Sequence, residues 1–592
     1  MLESPTGTGK TLSLLCASLA WQQSYKALLQ AIAASKNNPA AAVDAISSLL
    51  LQATGSSSAD VTDFKVPKII YASRTHSQLV QVQRELQKTA YRSVTSVTLG
   101  SREQGCVNPQ LVSLKGSALN ERCRALVNLR RCSYYRNTEP FMNSHPNALS
   151  TMADIEDIVS HGRSDHFCPY FFTRKAHFQA ELIFLPYNYL VDPNSRDSLD
   201  IDFEGSVLIF DEAHNLEGVC ADSASTELSS STVALCIAEM DDLISRGNES
   251  DVLLGHATLK KFFLDLERSM FSLGEVTRKD GMTKDGTYMK EILGSAGVRT
   301  ADLPSFTETL NGAIKLLAEE DDNPRPVFAM KQFADLLSLV FSVPEAELRD
   351  HYKVYFNRDE TDRNRRSGGF IIHLWCFFPG VAFRRLAALK PRCIVLTSGT
   401  LSPMSSFASE LGIPFPIRLE GEHVVGHSQV LFGVWGRGPQ GGALTSAFQH
   451  RSSETTRSEL GNTIVNVCRI VPDGILVFFP SYKLLSDTLE AWKSSEVWSR
   501  IERLKKPFVE PRAAGELAYM QEAYESQLLQ NSSTGAILFA VCRGKVSEGL
   551  DFSDYHGRCV IVTGIPFAPH FDPQVRLKRE YMDRQSKKPG DG

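Results

Sequence analysis

Two short segments, far apart in the chain, hold the residues whose types and spacing could do phosphate chemistry. The first runs Ser4, Pro5, Thr6, Gly7, Thr8, Gly9, Lys10, Thr11 and fits the second half of the pattern GxxxxGK[ST], with Ser4 where the first glycine usually stands. Gly7 and Gly9 free the backbone to turn N–H groups toward phosphate oxygens. Lys10 would bring a positive charge to the terminal phosphates and Thr11 a hydroxyl to Mg²⁺, and the helix that follows adds its partial positive end. A glycine-rich turn of this length also arises by chance, but here an apolar helix, LSLLCASLAW, follows at once. The second segment is VLIFDEAH. Asp211 would hold Mg²⁺ through water and Glu212 would orient and deprotonate an attacking water, with His214 completing the tetrad. Alone, such a carboxylate pair is usually a solvated strand end; beside Gly7 to Thr11 it supplies the other half of a site for ATP and Mg²⁺.

Cys106, Cys123, Cys132 and Cys168 lie between these segments. No CxxC pair occurs among them, so zinc-ribbon spacing is absent. Four thiolates can hold a [4Fe–4S] cluster, but four buried structural thiols fit the spacing as well, and spacing does not separate iron from zinc. Arg122, Arg124, Arg130, Arg131 and Arg136 place positive charge around the cysteines. Tyr134, Tyr135, Tyr170, Phe171 and Phe172 add aromatic faces, a mixture that suits single-stranded DNA. A solvated basic face is the plain alternative for any one arginine.

The elements that must position these groups read as an α/β fold. Strands are expected at Lys68 to Ala72 and Val207 to Phe210, and further strand-then-turn units at CIVLTSGTLSP, GILVFFPSYKLL, AILFAVCRGKVSEGLDF and CVIVTGIPF. Continuous apolar strands ending in polar or glycine-rich turns are the mark of parallel sheets covered on both faces. Three of these strands lie beyond residue 470, so two such sheets are expected. Residues 27–64, rich in Ala and Ser, read as an inserted loop with some helical tendency. Residues 236–371 read as a leucine-rich helical insertion with polar interruptions.

At 592 residues the chain exceeds one core, and roughly three or four domains are expected. No apolar run reaches the roughly 20 residues that cross a bilayer, and the N-terminus lacks the pattern of a signal peptide, so a cytosolic or nuclear location is expected. The net charge of −5 announces no nucleic-acid binder in bulk, so any such surface must be local. Twelve scattered cysteines argue against a disulfide framework, and single ones such as Cys393 in RCIVLTSG are expected to be buried and inert.

DEAH is also the hallmark of superfamily 2 helicases, and the other motifs resemble that family in order. SRTHSQL looks like the motif that touches the DNA backbone, with Ser73, Arg74, Thr75, His76 and Ser77 where a helix begins; a helix cap is the plain alternative. TSGTL, with Ser398, Gly399 and Thr400, looks like the motif that couples hydrolysis to motion. FFPSY and RGKVSEGLDF, with Arg543, Gly549 and Asp551, look like motifs of the second sheet domain. GSREQGCVN, ERCRALV, RRCSYY and FCPYFFTR resemble the iron–sulfur domain of XPD-like helicases in its usual place, and the stretches IIYASRTHSQLVQV, LPYNYLVD, LTSGTLSPMSSFASELGIPFP and FVEPR resemble the telomere-elongation-regulator branch.

This resemblance covers nearly the whole chain and implies a fold, a cofactor and an activity. Two RecA-like parallel-sheet domains are expected, the first at 1–100, 178–235 and 372–405, interrupted by an iron–sulfur domain (101–177) and an arch-like insertion (236–371). The second would start at 406, with ATP in the cleft between the two. The four cysteines would hold a [4Fe–4S] cluster, with Arg122, Arg124 and Arg131 on DNA. The activity implied is that of an ATP-driven helicase moving 5′ to 3′ on single-stranded DNA, with single-stranded and branched DNA as partners, in repair, displacement-loop disassembly and telomere stability, in the nucleus, with a sliding clamp as a further partner. The XPD-type transcription and repair subunit and an inert DNA-binding scaffold are the alternatives. Only Met1, Leu2 and Glu3 precede the phosphate loop, so neither the strand nor the glutamine motif that the family carries there is expected, and its QxxGRxxR motif is not present either. The chain therefore reads as truncated at both ends, with weak ATP binding and little hydrolysis expected.

Overall fold

The computed structural model describes residues 1–5, 7–34, 65–148, 154–246, 250–276, 281–318, 328–359, 369–426, 428–447, 449–451, 453–513, 516–530, 534–549, 552 and 554–587. Thr6, Asp551, the insertion from 35 to 64 and the polar stretch at 360–368 lie outside the described residues. The chain forms two compact units, Met1–Val424 and Val425–Gly592.

Strands of the first unit are β1 (Leu2–Glu3), β2 (Ile69–Ser73), β3 (Ser96–Thr98), β4 (Leu182–Pro186), β5 (Val207–Asp211), β6 (Thr226–Ser229), β7 (Met282–Asp285), β8 (Tyr352–Asp359), β9 (Gly369–Cys376), β10 (Cys393–Ser398) and β11 (Leu419–Glu420). Every residue of β2, β4 and β5 is buried. Side chains alternate across a strand, so both faces of this sheet must be covered. Ile69, Tyr71, Phe184 and Ile209 pack on one face with Leu15 and Leu19 of the helix α1 (Lys10–Ala34). Ile70, Ala72, Ile183 and Phe210 pack on the other. Each fully buried aliphatic side chain contributes about 1.5–3 kcal/mol. The result is a seven-stranded parallel sheet in the order β11-β1-β10-β5-β2-β4-β3.

Two expectations change here. The three residues before the phosphate loop do include a strand: β1 pairs with β10 and β11, Leu2 opposite Thr397 and Leu419. Residues 27–34 continue α1 as helix instead of opening a loop.

After residue 100 the chain leaves the sheet through α3 (Arg102–Gly105), α4 (Gly116–Asn128), α5 (Ser133–Ser144), α6 (Ile155–Ser164) and α7 (Pro169–Ala176), following α2 (His76–Gln87). A second excursion, expected to be helical, also holds a sheet. Strands β6-β9-β8-β7 pair antiparallel, covered by helices that include Ser230–Ser245, Ser250–Val276 and Phe328–Ser342. Phe370, Ile372, Leu374 and Cys376 alternate inward along β9, a period of two among leucine-rich helices. Within this layer Glu239 accepts the Met330 N–H at 3.2 Å, and burial pushes its carboxyl up to about 7.

The second unit is built on a four-stranded parallel sheet of β12 (Gly474–Phe479), β13 (Lys506–Val509), β14 (Ala536–Val541) and β15 (Cys559–Val562), in the order β13-β14-β12-β15. Trp492 is 1% exposed beneath it, with Phe479 and Phe539 against its ring, and its indole N–H donates to Arg457 O at 2.8 Å.

Candidate active site

A parallel sheet places all its strand ends on one edge, and β1, β10 and β5 end there side by side. Ser4 N donates to Ser398 O at 3.0 Å, which fixes the start of the phosphate loop beside the end of β10. Gly7 and Gly9 turn at φ +83° and +78°, the left-handed region where a side chain is strained. Ser4 and Thr8 hydroxyls meet at 2.6 Å, and the Thr8 hydroxyl also donates to Pro5 O at 2.8 Å, closing the loop on itself. Lys10 and Thr11 then open α1.

The two halves of the site meet. Lys10 Nζ lies 2.9 Å from Glu212 Oε1 and 3.6 Å from Asp211 Oδ1. The Thr11 hydroxyl lies 3.5 Å from Asp211 Oδ2. Asp211 is 5% exposed, and burial raises its carboxyl pKa against the opposing pull of a hydrogen bond from Tyr71 and the Lys10 charge. Glu212 is held low, at about 2, chiefly by its hydrogen bond with His214 and then by Lys10. His214 Nδ1 and the Ser398 hydroxyl lie 2.8 Å apart, and that hydroxyl lies 3.3 Å from Glu212 Oε2. Glu212 itself stands in a left-handed conformation, φ 54° and ψ 42°, which costs a side-chain-bearing residue about 1–2 kcal/mol.

Two residues absent from the sequence reading complete the cluster. The Tyr71 hydroxyl donates to Asp211 Oδ2 at 2.7 Å, and the Tyr187 hydroxyl lies 2.8 Å from Asp211 O and 2.7 Å from Glu212 O. Their signal in the sequence is a phenol inside an apolar strand (Tyr71) or directly after one (Tyr187), which needs a partner once buried.

The segment Ser73 to Ser77 follows β2. Arg74, Thr75 and Ser77 are exposed. Ser73 is not available to a ligand: it is 1% exposed and its hydroxyl donates to Gln78 Oε1 at 2.8 Å. Thr75 caps α2, accepting from Gln78 N at 3.3 Å while Gln78 Oε1 accepts from Thr75 N at 3.1 Å. His76 is held neutral by burial, its pKa lowered to about 4.

The four cysteines sit at helix ends and on one helix. Cys106 follows α3, Cys123 lies in α4, Cys132 precedes α5 and Cys168 precedes α7. Burial raises the Cys106, Cys123 and Cys168 thiols, the last to about 12, and the neighbouring thiols raise them further. Among the described residues no group of three or more His, Cys, Asp or Glu has metal-holding geometry. The four thiols are close enough to influence one another electrostatically, and their chemistry is that of an all-thiolate iron–sulfur donor set; Asn108 Nδ2 lies 3.7 Å from Cys132 Sγ. Arg124, Arg130, Arg131 and Arg136 are exposed and Arg122 is half-buried. Of the aromatics expected to face DNA, Phe172 is in the core at 1% exposure. Tyr170 is buried as well, with the Arg102 and Arg174 guanidinium groups 4.3 and 4.5 Å from its ring. Cys393, expected in the core, is exposed at the start of β10.

In the second unit Glu510, 4% exposed, accepts from the Tyr482 hydroxyl at 2.9 Å and from Val541 N and Val546 N at 2.8 and 3.3 Å. It thereby ties FFPSY to RGKVSEG within that unit. Arg543 is exposed at φ 59°, and Gly549 ends a short helix, Lys545–Gly549.

The chain's matches to known proteins follow this arrangement. A family described as DEAD_2 matches residues 71–233, the RTEL1 helicase ARCH domain matches 238–379, and the Helicase C-terminal domain matches 464–592. The class is therefore a DEAD_2 helicase with an arch insertion and a C-terminal helicase domain. The regulator of telomere elongation helicase 1 homolog of Arabidopsis thaliana is 40% identical over 611 residues, covering 99% of this chain and 58% of that protein. The homolog of Oryza sativa subsp. japonica is 40% identical over 635 residues, with 99% and 61% covered. Regulator of telomere elongation helicase 1 of Homo sapiens is 38% identical over 640 residues, with 100% and 52% covered. A solved structure titled XPD_Helicase gives a TM-score of 0.47 at 18% identity, covering 100% of this chain and 85% of that one. Over almost its whole length the chain is similar to the regulator of telomere elongation helicase family, and it spans between 52% and 61% of the length of these three curated relatives.

Proposed function

We propose that this chain is the motor core of an ATP-driven helicase that moves 5′ to 3′ along single-stranded DNA. The observation that supports this most is the meeting of Lys10 with Glu212 at 2.9 Å, with Thr11 and Asp211 alongside. ATP would draw the Lys10 ammonium off the carboxylates and onto its terminal phosphates, with Ser4 to Thr11 around them. Thr11 and Asp211 would hold Mg²⁺, and Glu212 would take a proton from the attacking water. Glu212 stays ionised for that task because His214 and Lys10 hold its pKa down. Ser398, Gly399 and Thr400, with Arg543, Gly549 and Asp551, would couple hydrolysis to movement. Arg74, Thr75, His76 and Ser77, with Arg122, Arg124 and Arg131, would contact DNA phosphates, with the buried Ser73 anchoring that segment to β2.

Cys106, Cys123, Cys132 and Cys168 would hold a [4Fe–4S] cluster, which when bound supplies a rigid cross-link among four helices. The substrates on this reading are displacement loops, telomeric loops and quadruplexes, in DNA repair, restraint of recombination and telomere maintenance in the nucleus. The test is unwinding of partial duplexes carrying a 5′ or a 3′ single-stranded tail, with ATP turnover followed in parallel. ATP-dependent unwinding from the 5′ tail is expected, at the low rate that the absence of the glutamine and QxxGRxxR motifs implies, and lost in Glu212→Gln. DNA binding with no turnover would overturn the reading in favour of an inert scaffold.

A further inference from the structure

Tyr187 connects the segment after β2 to the carboxylate pair. Its backbone N–H donates to Ser73 O at 3.0 Å. At the other end its hydroxyl reaches Asp211 O and Glu212 O, at 2.8 and 2.7 Å. Those two carbonyls flank the φ and ψ bonds of Glu212, so one phenol proton, shared between them, fixes both torsions of a residue held in the left-handed region. The side chain is 1% exposed and packs beside Phe210, with ring centroids 6.1 Å apart. A phenol so enclosed cannot swing away, and a buried carbonyl that loses its donor finds no water to replace it. Displacement of Ser73 is therefore carried through a rigid ring to the backbone that sets the Glu212 carboxylate against Lys10.

We propose that Tyr187 is the positioning residue that couples DNA at Ser73 to Ser77 with the nucleotide site, by holding or releasing the left-handed backbone of Glu212. The inference rests on the helicase reading above for its two ligands. Tyr71 is placed differently: its hydroxyl holds the Asp211 side chain.

The test titrates the full chain, wild type and Tyr187→Phe, with labelled oligo(dT), in the presence and absence of a non-hydrolysable ATP analogue and Mg²⁺. Coupling between two sites is reciprocal, so the analogue's effect on DNA affinity must equal the effect of DNA on analogue affinity. In wild type each ligand is expected to shift the other's affinity by about fivefold or more. In Tyr187→Phe the mutual shift falls below about twofold, whatever change the variant makes to either affinity alone. A variant that keeps the wild-type shift overturns the inference and leaves the helicase reading standing. A variant that melts early and loses both affinities marks Tyr187 as a core residue only and also overturns it. A wild type that binds neither ligand, or binds both with no mutual shift, overturns the reading and the inference together.

Discussion

Lys10 and Glu212 stand 202 positions apart in the chain, and their side chains meet at 2.9 Å. The contact pairs the cation of the phosphate loop with a carboxylate whose backbone is strained, so the resting site holds charge in balance and conformation out of it. Ligand phosphates would remove the balancing partner while the Tyr187, Ser398 and His214 contacts keep the carboxylate aimed.

Glu212→Gln preserves length and backbone while removing the charge. Turnover of ATP should fall by about 10²–10⁴-fold, with ATP-analogue affinity within a few-fold of wild type. Steady-state hydrolysis together with equilibrium binding checks this, and near-normal turnover would place the base elsewhere.

Tyr71→Phe removes the donor to Asp211 Oδ2. That hydrogen bond opposes the rise that burial imposes on Asp211, so its loss should raise the carboxyl further. The Mg²⁺ concentration for half-maximal hydrolysis should increase about tenfold, the worth of a hydrogen bond to a charged group, and the increase should be largest at acid pH. A Mg²⁺ titration at two pH values reads both.

Glu239 makes part of the fold sensitive to pH. Its carboxyl sits at about 7 when folded, against 4.5 ordinarily, with burial the main cause. The folded chain keeps a proton that the unfolded chain releases between those values. The stability this contributes is full below about 4.5 and is lost as pH rises through about 7. Glu239→Gln, which keeps an acceptor for Met330 N, should flatten that decline and melt on the order of 2 °C higher at pH 8. Thermal melts across pH 5–8, a span of about three pH units around the shifted value, would reveal an unchanged slope if the residue is irrelevant.

Cys132→Ser tests the cluster. Anaerobically purified wild type should carry iron and acid-labile sulfide in near-equal amounts, and the variant should lose both. Because the Cys168 thiol lies near 12 without metal, reconstitution should release protons and weaken as pH falls. Zinc, or no metal in folded protein, would remove the cluster from the reading.

Trp492→Ala should cost the second unit about 3–5 kcal/mol, since it empties the space against Phe479 and Phe539 and leaves Arg457 O without its indole donor. Chemical denaturation followed by fluorescence measures the loss. A cost within error of zero would mean the site collapses around the gap.

What could be read from the sequence was what short-range pattern controls. Val207–Asp211 and Ile69–Ser73 are unbroken apolar runs, and their burial on both faces follows from composition alone. The strands at 474 and 536 are equally plain, whereas β15, as apolar in sequence, leaves Val560 and Val562 exposed on one face. The elements missed depend on partners distant in sequence. β1 has only two residues, and it is a strand because Thr397, Ser398 and Leu419 are there to pair with it. The alternation in β9 was overlooked because the surrounding leucines read as helix, and β13 is only four residues long. Cys393 opens β10 in an apolar context, yet context in sequence does not fix which neighbour covers it. The carboxylate pair and the phosphate loop were legible as motifs, whereas Tyr71 and Tyr187 were not. Their roles exist only where β2, β4 and β5 lie side by side.

The reciprocal cap between Thr75 and Gln78 bears on how a strand of DNA could be let go. Two backbone donors at the start of α2 are already occupied: Gln78 N by Thr75, Thr75 N by Gln78. A phosphate that takes either of these two donors displaces the side chain holding it, exchanging one bond for another. When it leaves, the side chain returns and no donor is stranded. Grip of this kind is shallow in both directions, which is what stepping along a strand requires on the proposed reading.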